Sequence, residues 1–183
     1  MIAYQTERLI LTPVRQEHEP ELFKLHNDPL VQHVIFNNKP QTTEDVRNWI
    51  DVALDQWRKN GFGVWMLYEK AKSGQIFIGR CGLRDFGDTN NLEIATSLSE
   101  YGRGRGLSLE AARFAVTHAL QNSTKEKIVA LIKHGNTRSE RATKKMGLHY
   151  IDDRWWNGKV WQYYEITREE YLFQPHHTNV VKC

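Results

Sequence analysis

The spacing of apolar positions changes several times along the chain, and each change marks an element. Leu9 to Leu11 is a short apolar run closed by Pro13, which predicts a first strand. Glu19 to His26 carries Leu22 and Leu25 at helical spacing, and Asn27-Asp28-Pro29 stops it. Thr43-Glu44-Asp45 opens a second helix. Val46, Trp49, Ile50, Ala53 and Trp57 return there every three or four residues, giving one apolar face that ends at Asn60-Gly61. The period then shortens. Gly63 to Glu69 and Ile76 to Leu83 read as a hairpin around Lys72-Ser73-Gly74, and Leu92 to Leu98 follows Asp88-Thr89-Asn90-Asn91 as a third strand of this meander.

After Leu98 the pattern becomes alternating helix and strand. A glycine-rich loop, Gly102 to Gly106, leads into a helix from about Ser108 to Gln121, with a small-residue face of Ala111, Ala112, Ala115, Val116 and Ala119. Ile128 to Ile132 is continuously apolar, as in a buried parallel strand. Thr137 to Met146 is a helix that Gly147 should stop. Tyr150-Ile151 and Val160 to Ile166 are strands joined around Asn157-Gly158. This order predicts an α/β (α+β) fold with a mixed sheet of about seven strands and helices on both faces. One domain is expected over residues 1–172, with 173–183 as a flexible tail.

Composition narrows the function classes. The 183 residues suit one domain with its own core, and 40% hydrophobic with 26% charged residues is ordinary for a folded globular chain. The net charge of +3 is spread in short clusters such as Arg103 with Arg105 and Lys144-Lys145. A nucleic-acid binder would concentrate it in a stripe, so no nucleic-acid partner is expected. Two cysteines, Cys81 and Cys183, make no disulfide framework, and the eight histidines fall at no metal-ligand spacing, so no metal is expected. No basic-then-apolar leader and no membrane-length apolar stretch is visible, which reads as cytoplasmic, with no membrane partner.

The segment with the clearest chemistry is the turn after Leu98. A strand enters Arg103-Gly104-Arg105-Gly106 and a helix leaves it through Leu107-Ser108. Glycine lets amides approach a ligand, the first amides of a helix lack intrahelical partners, and its dipole favours an anion. Arg103 and Arg105 add charge there, so the loop reads as a pyrophosphate cradle. It lacks the Gly-Lys-Ser/Thr ending of a P-loop and the Gly-x-Gly-x-x-Gly of a dinucleotide site. A helix-entry turn with solvated arginines is the alternative.

Arg103-x-x-Gly106-x-Ser108 resembles the acetyl-CoA loop of the GNAT N-acetyltransferases, with Ser108 where Gly or Ala is usual. A second register would take Gly104 and Gly106 as the motif glycines and put Tyr101 first. The first register aligns Glu110-Ala111 with the Glu-Ala that often follows, and Glu93-Ile94-Ala95 with an upstream Glu-Ile-Gly. Thr6-Glu7-Arg8-Leu9-Ile10-Leu11 is similar to the opening of the ribosomal-protein N-terminal acetyltransferase branch, with Thr12 replacing an arginine. Asn136-Thr137-Arg138-Ser139 and Lys145-Met146-Gly147-Leu148 resemble that branch's Asn-x-x-Ser and Lys-x-Gly-Phe segments, and the likeness runs from about Thr6 to Tyr164.

The resemblance implies direct acetyl transfer from acetyl-CoA to a primary amine, without an acyl-enzyme. It makes Glu93 the candidate base, with Glu100 and Glu165 as other acids, and Ser139 the candidate acid. The more usual tyrosine would fall at Thr143. Asn136 would order a water or a pantetheine amide, or simply cap its helix. Ser97 and Leu98 would pair with the pantetheine arm, the Leu98 amide facing the thioester oxygen, while Arg103, Gly104, Arg105, Gly106, Leu107 and Ser108 hold the diphosphate. Acceptor specificity should come from residues 31–60 and the hairpin near Trp155 to Trp161, whose tryptophans are either an aromatic wall or core. The expected acceptor is a protein N-terminal amine. A small amine (antibiotic, polyamine or amino acid) and a non-catalytic acyl-CoA-binding module are the rivals, and a homodimer is left open.

Overall fold

The computed structural model describes residues 3–72, 74–175 and the backbone of 181–182. Among these residues six α-helices and nine strands follow one another as β1 (Tyr4–Gln5), β2 (Leu9–Pro13), α1 (Glu19–His26), α2 (Pro29–Ile35), α3 (Thr43–Asn60), β3 (Val64–Ala71), β4 (Gly74–Asp85), β5 (Asn91–Leu98), α4 (Leu107–Gln121), β6 (Lys127–Ile132), α5 (Thr137–Lys145), β7 (His149–Trp156), β8 (Lys159–Thr167), α6 (Arg168–Phe173) and β9 (Val181–Lys182). Among the described residues the strands form one sheet in the order β7-β8-β6-β5-β4-β3-β2-β1-β9. Every neighbouring pair is antiparallel except β5 with β6. The mixed sheet with helices on both faces is as expected.

The two faces carry different helices. Trp65 lies opposite Cys81 in the β3–β4 ladder, and its ring packs edge-on to Phe114 and His118 of α4. Arg80 precedes Cys81, so it points to the other face, where it meets His26 of α1 and Trp49 of α3. One buried cluster runs through both layers, from Leu9 and Leu11 through Ile50, Trp65 and Ile78 to Ala115, Ile128 and Tyr171.

Local chemistry explains most boundaries. Thr42 caps α3 in a capping box with Asp45, and Gly61 ends the helix with φ +72°. Gly147 takes φ +91° after α5. The Gly147 amide bonds to Lys144 O and the Leu148 amide to Thr143 O, the paired closure of a Schellman motif. Asn157 and Gly158 both have positive φ, as a two-residue hairpin turn requires.

Four short elements go beyond the sequence expectation. Asn27-Asp28-Pro29 ends α1, but the Asp28 side chain also accepts from the Leu30 and Val31 amides and Pro29 opens α2. Thr167 and Glu170 form a capping box that starts α6. β1 and β9 are two residues each and pair antiparallel with one another, so part of the expected tail is a sheet edge. The rest of that tail, 176–180 and 183, lies outside the described residues.

Candidate active site

The sheet is interrupted at one place. β5 and β6 pair in parallel only at Asn91↔Lys127, Leu92↔Ile128 and Glu93↔Val129. Each strand continues, held on its far side: β5 by β4 as far as Gly79↔Leu98, β6 by β8 as far as Ile132↔Gln162. Residues 94–98 and 130–132 therefore diverge into a wedge. The Ser99 amide donates to Ile78 O at 2.8 Å, and Ser99 is extended (φ −60°, ψ 162°). Alternation along a strand then turns the Leu98 and Thr96 amides toward the wedge. Backbone groups left open on one edge of a strand are pairing partners for an extended ligand.

Glycine sets the geometry of this edge. Gly79 has φ +144°, and a Cβ on it would sit 2.1 Å from Ser97 O and 2.8 Å from Leu98 Cα. Ile78 is bulged out of the β3–β4 register beside it. Only a glycine lets β4 lie this close to the end of β5.

The wedge opens onto the glycine loop. Gly104 and Gly106 have φ of +79° and +76°, and Gly106 caps α4 without a side chain. Among the described residues, the amides of Gly104, Arg105, Gly106, Leu107 and Ser108 donate to no protein acceptor. Ser108 is the second residue of α4 rather than its cap. The loop arginines are engaged. Arg103 Nε donates to Leu98 O at 3.0 Å and its Nη2 to Asp28. Arg105 grips Glu69 with both terminal nitrogens (2.7 and 2.9 Å) and stacks over Tyr101. Glu69 holds its carboxyl below the usual range chiefly because of that contact. Arg8 donates to Arg105 O at 2.8 Å, and Glu110 accepts from Thr6 Oγ1, the Arg8 amide and Arg8 Nε. The Thr6–Arg8 and Glu110 motifs, far apart in sequence, are thus one clamp on the first turn of α4. A cleft of about 790 Å³ lies beside the loop, lined in part by Asp28, Phe77, Ser99, Glu100 and Tyr101.

Glu93 stands at the apex of the wedge, where the parallel pairing ends. It is buried, and both its oxygens are held by Arg84, directly opposite on β4, at 2.9 and 3.0 Å. Ser139 is half-buried in the first turn of α5, and its amide bonds to Asn136 Oδ1 at 3.3 Å, so Asn136 acts as a helix cap. Thr143 is buried in the same helix. Of the other acids, Glu165 is paired with Lys127 and Tyr163, while Glu100 is exposed at the cleft.

A family model described as Acetyltransferase (GNAT) domain matches residues 8–149. The chain belongs to the GNAT acetyltransferase family. Solved structures agree on the fold. The acetyltransferase of Agrobacterium tumefaciens superposes with a TM-score of 0.74 at 20% identity, covering 91% of this chain and 94% of that one. The GNAT-family acetyltransferase of Bacillus anthracis gives 0.74 at 19% identity, over 92% and 100%. The spermidine N-acetyltransferase of Vibrio cholerae, solved with CoA and spermine, gives 0.73 at 14% identity, over 90% and 98%.

This GNAT chain is an acyl-CoA-dependent N-acetyltransferase, and its donor set fits acetyl-CoA. Open loop amides at a helix N-terminus suit a diphosphate. The open edge of β5, with the buried and unpartnered Ser97 hydroxyl, suits the amide-bearing arm. Among the described residues no helix is long and apolar enough to cross a membrane.

Helix α2 and the residues after it meet β6 and the β7–β8 hairpin. Lys133, just after β6, lies 3.1 Å from His33 Nε2, and Lys159 of the β7–β8 hairpin bonds Asn37. Trp155 and Trp156 divide as strand alternation requires, Trp155 being 69% exposed and Trp156 stacked on Phe86, while Trp57 of α3 packs in the core. Sequence reasoning passed over Arg80 and His26, which with Trp49 form a buried cluster beside the wedge. The signal was there: Arg80 is a lone charge inside the otherwise apolar run Ile76 to Leu83.

Proposed function

We propose that this enzyme transfers acetyl from acetyl-CoA to an α-amine, with a protein N-terminus as the acceptor class. The observation that carries the reading is the end of β5–β6 pairing at Glu93, one strand-length from a loop of open amides. A linear thioester laid along β5 would bring its carbonyl to the Leu98 amide and its diphosphate to residues 104–108. Glu93 takes the proton of the incoming ammonium, directly or through water. Each of its oxygens keeps a lone pair beyond the Arg84 contact. The amine nitrogen then bonds to the carbonyl carbon, the Leu98 N–H stabilises the oxyanion, and the C–S bond breaks; Ser139 Oγ gives its proton to the thiolate and regains one, through water, from the nitrogen, which ends as the neutral amide. The motif likeness of Thr6–Leu11 and Asn136–Ser139 favours the N-terminal acetyltransferase branch. The basic character of the acceptor side, with Arg80, Lys133 and Lys159, disfavours a polycation.

The test is thiol release from acetyl-CoA across N-terminal peptides and small amines. Turnover of peptides supports the reading; turnover of polyamines alone overturns the acceptor class. Glu93→Gln should lower kcat by about 10²- to 10⁴-fold with little change in the KM for acetyl-CoA. An unchanged kcat would remove Glu93 from the role of base.

A further inference from the structure

Arg80 is an arginine with no acid. It is 5% exposed, yet among the described residues no carboxylate lies against it. Its Nε donates to His26 Nε2 at 3.2 Å, and its guanidinium sits 4.4 Å over the Trp49 ring. The two terminal nitrogens carry no protein acceptor, and they are not among the fully covered orphan atoms. Acids on the adjoining β5 and α1 are committed elsewhere, Glu93 to Arg84, Glu21 to Tyr68 and Glu19 to Arg47, and Asp28, just after α1, is held by Arg103 and the α2 amides. The charges that act on Arg80 include a second cation, Arg84. A buried guanidinium in such surroundings is expensive unless an anion satisfies it.

Its position gives the missing anion a function. Arg80 lies directly opposite Ser97 in the β4–β5 ladder, so the two side chains share a face. Ser97 Oγ is buried without a partner, and the next residue, Leu98, presents its amide to the wedge. Trp49 and Phe36, which packs 5.0 Å from His26, wall the cluster with apolar surface. A guanidinium fork with two free terminal nitrogens matches a carboxylate in geometry and charge.

We propose that Arg80 is a specificity-determining residue that binds a carboxylate of the acceptor, close to the amine that is acetylated. This rests on the acetyl-transfer reading above and narrows its substrate. The carboxylate has two sources of the same chemistry: the side chain of an Asp or Glu at the start of a peptide, or the α-carboxylate of a free amino acid.

The experiment compares kcat/KM for matched acceptors with wild type, Arg80→Met and Arg80→Lys. The pairs are Glu- against Gln-initiated tetrapeptide amides, and glutamate against its carboxamides. Wild type should prefer the acid by about 10- to 100-fold, the worth of one charge-assisted contact. Arg80→Met should bring that ratio close to unity, and Arg80→Lys should restore part of it. Which pair shows the preference identifies the source. Calorimetry with N-acetylglutamate provides a readout free of turnover, expected to show binding by wild type and at least tenfold weaker binding by Arg80→Lys. No acid preference in wild type in either pair, together with no Arg80-dependent binding, overturns the proposal. Arg80-dependent binding without turnover of any amine would instead leave the carboxylate site standing and remove the acetyl-transfer reading. Should Arg80→Met fail to fold, the wild-type ratios and Arg80→Lys decide alone.

Discussion

Acidification should weaken the fold through His26, and the size of the effect can be worked out. His26 is fully buried, and its pKa is pushed down to about 3 from 6.5, first by burial and then by the Arg80 charge. Arg80 Nε donates to His26 Nε2, so a proton there would set two donors against each other. Because the folded-state pKa lies below the unfolded one, the unfolded chain takes the proton first. The stability is whole above about pH 6.5 and declines as pH falls from there toward 3. Each unit is worth about 1.4 kcal/mol, so moving from pH 7 to pH 5 should cost about 2 kcal/mol from this residue. The control is His26→Gln, which keeps an acceptor for Arg80 but does not titrate. His18 and His118, also lowered by burial, are common to both proteins and cancel in the comparison. Urea unfolding at the two pH values should show wild type losing about 2 kcal/mol more than His26→Gln. Equal losses would mean that His26 titrates normally and that the buried cluster with Arg80 is not formed as described.

Three further outcomes follow from particular contacts. Gly79→Ala would push a methyl to within 2.1 Å of Ser97 O at a φ of +144°, so a loss of about 2 kcal/mol or more in urea unfolding and a raised KM for acetyl-CoA are expected. Asn136→Ala should cost about 1 kcal/mol by the same measurement as a lost helix cap, whereas Ser139→Ala should leave stability alone and lower kcat; a reversed pattern would exchange their roles. Arg103→Ala should raise the KM for both acetyl-CoA and the amine, because it unties Leu98 O and Asp28 together, while Arg105→Ala, whose partner Glu69 touches neither Leu98 nor the cap of α2, should affect at most acetyl-CoA. Steady-state kinetics with each substrate varied would check this.

Most of the fold was legible because periodicity and punctuation agree in the long elements. Helix α3 carries a capping box at one end and a positive-φ glycine at the other around a regular apolar face, so its limits could be read to within a residue. The glycine loop could be placed because its conformation, positive φ at Gly104 and Gly106, is a property of residue type. Two-residue strands such as β1 were not legible, since a period needs several repeats to show. The pairing choices of charged side chains were not legible either. Arg103 and Arg105 read as free positive charge, yet Asp28 and Glu69, 75 and 36 residues away in sequence, engage them. The same blindness hid Arg80, because a missing partner shows only when every neighbour is placed.

These tethers give the site a continuity that its separate motifs do not suggest. Arg103 leaves the glycine loop and holds the last carbonyl of β5 with one nitrogen and Asp28 with another. Asp28 is the cap of α2, and the segment that α2 leads into touches the β7–β8 hairpin through Asn37 and Lys159. One line of contacts therefore runs from the glycine loop, where the proposed diphosphate would sit, to the β7–β8 hairpin. A ligand that orders residues 104–108 fixes Arg103, and through it the start of α2. Acetyl-CoA bound first is then expected to leave less of that segment for the amine to order. Such coupling is reciprocal, so saturating acetyl-CoA should tighten amine binding by the same factor that amine tightens acetyl-CoA. Arg103 is the residue through which that factor would be lost.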